Sequence, residues 1–270
     1  MRVFLGTLIA SAIVLLAYGQ QADFEKDDFR RNHVKRETTV SQDIPSLVTT
    51  TYIDDFDRHG NRLKRAAVAS DGKTLIEWSY RYDDHNELIE SSSSRTILSG
   101  ATKKTVSRTY SERGVTAAVI YNEDGSVYER QTFRRNTAGK PLEASAFNAA
   151  GKATGGQRYV YDDRGNLIEF TKLGAGGEVI SRSTHTFNRK GNATRTVDFD
   201  ASGHVSTTTE FDYDDTGEYL NEEREYDGSG KLHWRVRHKR NADGFVVETN
   251  KTDSSGHLVE VKRTSWELYK

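Results

Sequence analysis

The densest run of chemistry-bearing side chains in this 270-residue chain is Lys231 to Arg240, which reads KLHWRVRHKR. In an extended strand side chains alternate with period two. Lys231, His233, Arg235, Arg237 and Lys239 therefore fall on one face, with Leu232, Trp234 and Val236 on the other. A row of five basic groups can hold an anionic glycan or polymer. It can equally be a solvated face that deters edge pairing.

Carboxylates recur too. Glu129, Glu143, Glu169, Glu248 and Glu260 each stand four residues after a glycine, with Leu or Val two places before them except at Glu143, where it is Pro141. Two carboxylates about 5–10 Å apart would suit glycoside hydrolysis, but the regular recurrence also fits a polar position written into a repeat. Asp-rich turns such as Asp214-Asp215-Thr216-Gly217 supply one or two carboxylates each, short of the six to eight oxygens calcium takes. Turn chemistry explains them, and no metal or other cofactor is expected. The eight histidines are scattered, and no HExxH, GxSxG, P-loop or dinucleotide fingerprint occurs.

The elements that must position these groups are marked by glycine. From Gly125 the spacings to Gly139, Gly151, Gly165, Gly177, Gly191, Gly203, Gly217, Gly230, Gly244 and Gly256 are 14, 12, 14, 12, 14, 12, 14, 13, 14 and 12. A two-strand unit of about 26 residues thus repeats. Gly60, Gly72, Gly100 and Gly114 extend it upstream, with Asn86 where another glycine would fall. Asp or Asn stands three residues before most of these glycines, as at Asp162, Asn188 and Asp200. An Asx side chain starts a type I turn, and Gly then takes the left-handed position of a bulge. Each Asx-x-x-Gly is therefore a chain reversal. The expected fold is all-β: an antiparallel meander of about fifteen short strands, curled or spiralling.

This turn predicts cross-strand pairs between the residue before Asx and the second residue after Gly. They are Tyr161–Leu167, Leu173–Val179, Phe187–Ala193, Phe199–Val205, Tyr213–Tyr219 and Tyr226–Leu232. Successive pairs lie 6 or 8 residues apart, except across the 13-residue spacing, where a bulge or face switch is expected. Even separations would put every pair on one face, together with mid-strand residues such as Glu129, Glu143, Glu169, Thr207 and Glu248. On this register Glu169 lies beside Tyr159 and Ser183. Curling would bury the rings around a partly polar interior. An outer-membrane barrel is disfavoured, because the strands are short and neither face is continuously apolar.

Apolar residues make up 34% of the chain, enough for only a thin core, yet 13 Tyr and 11 Phe argue against disorder. The net charge of −1 provides no field to steer the chain toward nucleic acid. The absence of Cys excludes disulfides, thiolate ligands and a cysteine nucleophile. Arg2, the apolar stretch Val3 to Leu16 and Ala17-Tyr18-Gly19 read as a secretory signal peptide. The apolar stretch is short for a membrane anchor. The expected division is a signal peptide at 1–19, a charged leader or linker at 20–45 and the repeat domain at 46–270.

Tyr161-Asp162-Asp163-Arg164-Gly165-Asn166-Leu167 resembles the Tyr-Asp (YD) repeat of RHS-type proteins. Tyr213-Asp214-Asp215-Thr216-Gly217 and Tyr226-Asp227-Gly228-Ser229-Gly230-Lys231-Leu232 are similar to it, and Tyr82-Asp83-Asp84-His85-Asn86-Glu87-Leu88 is a degenerate copy. The resemblance spans residues 50 to 260. It implies β-hairpin shells on secreted or surface proteins, with roles in carbohydrate binding or contact. Two functions are therefore carried forward. One is a secreted or periplasmic non-catalytic scaffold binding glycan or another envelope polymer. The other is a carbohydrate-active enzyme with carboxylates in a curled interior.

Overall fold

The computed structural model describes residues 33–86, 88–96, 102–110, 117–122 and 124–269. The expected signal peptide and the turns at Gly100 and Gly114 lie outside them. Among the described residues eighteen strands follow in chain order. They are β1 (Val34–Asp43), β2 (Thr49–Phe56), β3 (Arg62–Ala69), β4 (Thr74–Tyr82), β5 (Leu88–Thr96) and β6 (Thr102–Tyr110). Next come β7 (Ala117–Tyr121), β8 (Val127–Arg135), β9 (Pro141–Asn148), β10 (Ala153–Tyr161), β11 (Leu167–Leu173) and β12 (Val179–Phe187). The last are β13 (Ala193–Phe199), β14 (Val205–Tyr213), β15 (Leu220–Asp227), β16 (Leu232–Arg240), β17 (Val246–Asp253) and β18 (Leu258–Leu268). Each pairs antiparallel with its sequence neighbours, as the glycine rhythm requires.

The turns form as the Asx and Gly positions dictate. At Asp162 the backbone N–H donates to Asn166 O at 2.9 Å, and Gly165 N–H donates to Asp162 O at 2.9 Å. The Asp162 Oδ1 accepts from the N–H groups of Arg164 (3.0 Å) and Asn166 (2.8 Å). The Asn166 amide on the same carboxyl, with these backbone bonds, holds it below the usual carboxylate range. Asn86 takes the glycine position with a φ of 62°, as Asn can.

Five of the six predicted pairs are present: Tyr161–Leu167, Leu173–Val179, Phe187–Ala193, Phe199–Val205 and Tyr226–Leu232. In the sixth, Tyr213 pairs with Leu220 rather than Tyr219. The odd spacing is absorbed in the turn itself, where Asp214 N–H reaches Tyr219 O at 2.9 Å.

The single-face expectation fails. A second register slip follows the first pair of most hairpins, β1–β2, β5–β6 and β6–β7 excepted. In β10–β11 it falls between Val160 and Tyr161, so that Tyr159 stands opposite Phe170. Directly opposed residues share a side. The opposed pairs Tyr159–Phe170, Phe170–Ser183, Ser183–Asp198 and Asp198–Thr207 therefore carry one side across five strands. Tyr161 and Tyr213, an even number of residues from Tyr159 and Thr207, lie on that side. Phe199, next to Asp198, lies on the other, opposite Arg182. The extra residue of each bulge reverses the alternation that even spacing would have kept. Glu169 accordingly faces Val160 and Thr184, not Tyr159 and Ser183. Glu143 and Glu248 share its side, while Glu129 and Thr207 lie on the opposite one.

The two ends of the meander meet. β1 pairs with β2 and also with β18, from Val34–Leu268 through Asp43–Glu260. Among the described residues every strand thus has a partner on both sides, and no sheet edge is left open to aggregation. This also moves the boundary of the repeat sheet. β1 occupies Val34–Asp43, inside the segment expected to be a charged leader. Its sequence lacks apolar alternation because its inward residues Glu37, Thr39 and Ser41 face a polar interior.

That interior is the side of Tyr159. It carries most of the buried set, including Asp54, Phe56, Gln131, Phe133, Ala144 and Gln157. Eighteen strands at about 4.8 Å spacing make a perimeter of roughly 86 Å, too long for side chains alone to fill. Most inward residues are consequently only half-buried.

The two rims differ. At one, successive turns interlock: Asn61 donates to Asn86 Oδ1 at 3.0 Å, and Asn188 and Asn192 donate to Gly217 O at 3.0 and 2.8 Å. Lys140 reaches Gly165 O, and Tyr269 Oη donates to Phe56 O at 2.6 Å across the seam. Ring residues just below also reach back 20 positions to a carbonyl, Tyr82 to Arg62 O and Tyr213 to Ala193 O. At the other rim the glycines of the turns at Gly72, Gly125, Gly151, Gly177, Gly203, Gly230 and Gly256 have no neighbour within 4 Å of where a Cβ would stand. The first is the interlocked rim and the second the free rim.

Candidate functional site

The basic row does not survive as one surface. The bulge at the start of β16 leaves Glu225 opposite Trp234 and Tyr226 opposite Leu232, so His233 is the extra residue. His233 Nδ1 sits 2.9 Å from Glu225 Oε1, apart from its expected companions. Arg235, Arg237 and Lys239 do share the outer face. There the half-buried Glu222 carboxylate accepts from Arg237 Nε at 2.6 Å and lies 3.2 Å from Arg235 Nε, with Arg224 Nε at 3.6 Å. Lys239 stands opposite Glu248, whose other neighbour is Arg263. Lys231 lies in the turn before β16, its N–H on Asp227 Oδ1 at 3.1 Å. The outer wall here alternates in charge rather than presenting a uniform cation field.

The inner wall is the more continuous arrangement. Opposed pairs run His185–Thr196, Thr196–Thr209, Thr209–Glu225 and Glu225–Trp234. Lys251 Nζ lies 4.5 Å from the Trp234 ring centroid, a cation–π contact that fixes the ring face. His185 Nδ1 meets Thr196 Oγ1 at 3.0 Å, and burial pushes its pKa down. Beside it, Asp198 accepts from Ser183 and, at 3.0 Å, from Thr207. His238 bridges Thr249 at 3.1 Å and Glu223 at 3.0 Å. An aromatic plane among hydroxyls, carboxylates and imidazoles can stack on a sugar ring and bond its hydroxyls.

A second inward cluster lies at the seam. Glu37 stands directly opposite Asp54, and Asp54 opposite Arg65. Asp54 is 4% exposed. Its carboxylate meets Arg62 Nε at 2.7 Å and Arg65 Nε at 3.7 Å. The guanidiniums lie over the rings of Phe56 and Tyr52, each 5.6 Å from the centroid. Burial, then the nearby Asp54 charge, pushes Glu37 up to about 7. Burial also raises Asp54, against the pull of both arginines. Sequence reading missed this cluster because neither carboxylate belongs to a motif.

The seam makes stability depend on pH. Glu37 titrates above its ordinary value in the fold, so the fold favours its neutral form. That contribution is complete below about pH 4.5 and is lost as pH rises through about 7. Replacing Glu37→Gln is expected to raise stability above pH 7 by of order 2 kcal/mol. The advantage should vanish near pH 4.5, as read from urea midpoints of both proteins across pH. Equal midpoints at pH 8 would show that the carboxylate is solvated.

The structure thus defines an antiparallel β-hairpin repeat sheet closed on itself, with a polar interior. No protein-family model matches the chain, and no curated protein matches it. Among solved structures, a porin-like protein from Bacteroides uniformis is similar at 12% identity and a TM-score of 0.46, covering 87% of this chain and 98% of that one. A LolA superfamily protein from Nitrosomonas europaea is similar at 11% identity and a TM-score of 0.28, covering 93% of each chain. TcdB2-TccC3 is similar at 11% identity and a TM-score of 0.18, with 87% of this chain and 21% of that one covered. With every score below 0.5, these likenesses carry no functional argument.

Proposed function

We propose that the protein is a non-catalytic scaffold of the cell envelope, periplasmic or secreted, that binds a glycan or related polymer. What supports this reading is the continuous inner row from His185 to Trp234, where a fixed aromatic face stands among hydrogen-bonding groups. The outer residues Lys231, Arg235, Arg237 and Lys239 offer a second, weaker hold for an anionic polymer, since Glu222 already occupies two of the arginines. His233 belongs with the inner group through Glu225. RHS-type kinship remains part of this reading, supported by the Asx-x-x-Gly turns.

A glycan-binding screen of the protein tests it, with Trp234→Ala and an Arg235→Ser/Arg237→Ser pair run alongside. Loss of at least about tenfold in affinity is expected for Trp234→Ala, the cost of one buried aromatic contact. The arginine pair should weaken only anionic ligands, and less so as salt rises. Binding that ignores both changes, or no binding at all, removes the reading.

The enzymatic alternative rests on the opposed Glu37 and Asp54. It predicts new reducing ends in the same screen, abolished by Glu37→Gln. Asp54 is held by two arginines, which suits a structural lock better than a nucleophile.

A further inference from the structure

Of the thirteen exposed large apolar side chains among the described residues, eight stand at the free rim, against four at the interlocked rim (Leu63, Val160, Tyr219 and Leu268) and Val40 within β1. Leu75, Tyr128, Ile180, Val205 and Leu258 are 37, 44, 44, 39 and 41% exposed. Each is the first or second residue of a strand that begins at the free rim, in β4, β8, β12, β14 and β18. Leu47, in the β1–β2 turn at the same rim, is 71% exposed. A single exposed leucine needs no explanation, whereas a set at one height does. The bulges set this row: Val205 and Leu258 pair outward with Phe199 and Thr252, and Leu75, Tyr128 and Ile180 are the extra residues beside the inward Ile76, Glu129 and Ser181.

The rest of that rim suits the same environment. In five of the seven turns named, the two tip residues are small and uncharged, as in Ala149-Ala150 and Ala201-Ser202, while Ser70-Asp71 and Glu123-Asp124 are the exceptions. Turns of the interlocked rim carry Arg58-His59 and Arg189-Lys190 in those places. Inward from the apolar row the outer wall becomes charged at once, with ion pairs such as Arg182–Glu169 and Arg237–Glu222.

A protein partner approaches from one side and covers one patch. This row lies on strands spread round a closed ring, from β4 to β18, so a protein would have to encircle it. A flat lipid surface meets the whole rim at once when the ring stands on it. We propose that the free rim seats the protein on a lipid bilayer surface, with the apolar row sunk to the depth of the headgroup boundary. One row of side chains suits shallow, interfacial insertion of about 5–10 Å, not an apolar band of about 25 Å that spans. The rim carries both signs of charge, Lys152 and Lys231 with Asp227 and Asp253, so a zwitterionic surface suffices.

The chain has no Cys, so single labelling sites can be placed cleanly. Val205→Cys at the free rim and Leu63→Cys at the interlocked rim, each in the full chain, would carry a polarity-sensitive dye. Leu63 is 41% exposed and close in exposure to Val205. With phosphatidylcholine vesicles the dye at 205 should shift to the blue and the dye at 63 should not. The N-terminal segment is common to both and cannot create that difference. In vesicle flotation, Leu47→Asp/Ile180→Asp should lower the bound-to-free ratio at least about tenfold against the parent. Equal shifts at both positions would overturn the proposal, as would unchanged flotation of the double variant. A shift at 205 that grows with protein concentration in the absence of vesicles would do the same, and would identify self-association instead.

Discussion

Replacing Asp54→Ala should destabilise the protein by about 3 kcal/mol, among the largest effects available to a single side chain. Asp54 is buried, and its carboxylate sits between Arg62 at 2.7 Å and Arg65 at 3.7 Å. Its removal takes from both guanidiniums the buried carboxylate that they share. Breaking one side of a buried ion pair generally costs about 3–5 kcal/mol. The lower end applies here because Glu37 is directly opposite and can take over part of the balance. Glu37 is held near neutrality partly by repulsion from Asp54, so its pKa should fall in the variant. This gives an internal check. A second change, Glu37→Gln, should stabilise the parent at pH 8 but destabilise the Asp54→Ala background. Urea midpoints for the four proteins of that cycle measure the sign reversal directly. Additive effects of the two substitutions would mean that the seam carboxylates do not share the arginines.

The sequence made the turns legible and the faces illegible, for a physical reason visible in particular residues. Asx-x-x-Gly acts within five residues, so Asp162, Gly165 and even Asn86 announce their conformations locally. The second bulge is marked by no residue type. Its extra positions include Ile168, Ile180, Thr194 and Ser206, which are apolar, hydroxylated and otherwise unlike. Without that slip, Phe199 would be assigned to the side of Tyr161, and the basic row of β16 would be continuous through His233. β1 was hidden for another reason. Reading a strand from apolar alternation presupposes an apolar inner face, and here that face carries Glu37, Thr39 and Ser41. The inner row from His185 to Trp234 could not be read either, because it exists only through pairings across five strands. The seam is illegible by distance: Val34 meets Leu268 through a pairing that no local pattern encodes.

That same seam carries the second large effect. Thr39 is in the middle of β1, opposite Tyr52 on one side and Thr264 on the other. Proline there removes a ladder N–H and forces its ring against the neighbouring backbone, a cost of about 3 kcal/mol or more in a paired strand. In an open sheet such a change would fray one end. Here β1 joins β2 to β18, so its loss uncovers two long edges at once, each a template for another chain. Thr39→Pro is therefore expected to lower the urea midpoint sharply and to convert a monodisperse protein into aggregates. Ala149→Pro is the matched control. Ala149 follows Asn148 at the first central position of a free-rim turn, where proline's fixed φ suits a type I turn and strand pairing is untouched. Its stability should stay within about 1 kcal/mol of the parent. If Thr39→Pro behaves like Ala149→Pro in sedimentation and in urea, β1 does not hold the two ends of the sheet together. The closed interior, and the binding assigned to it, would then have to be abandoned.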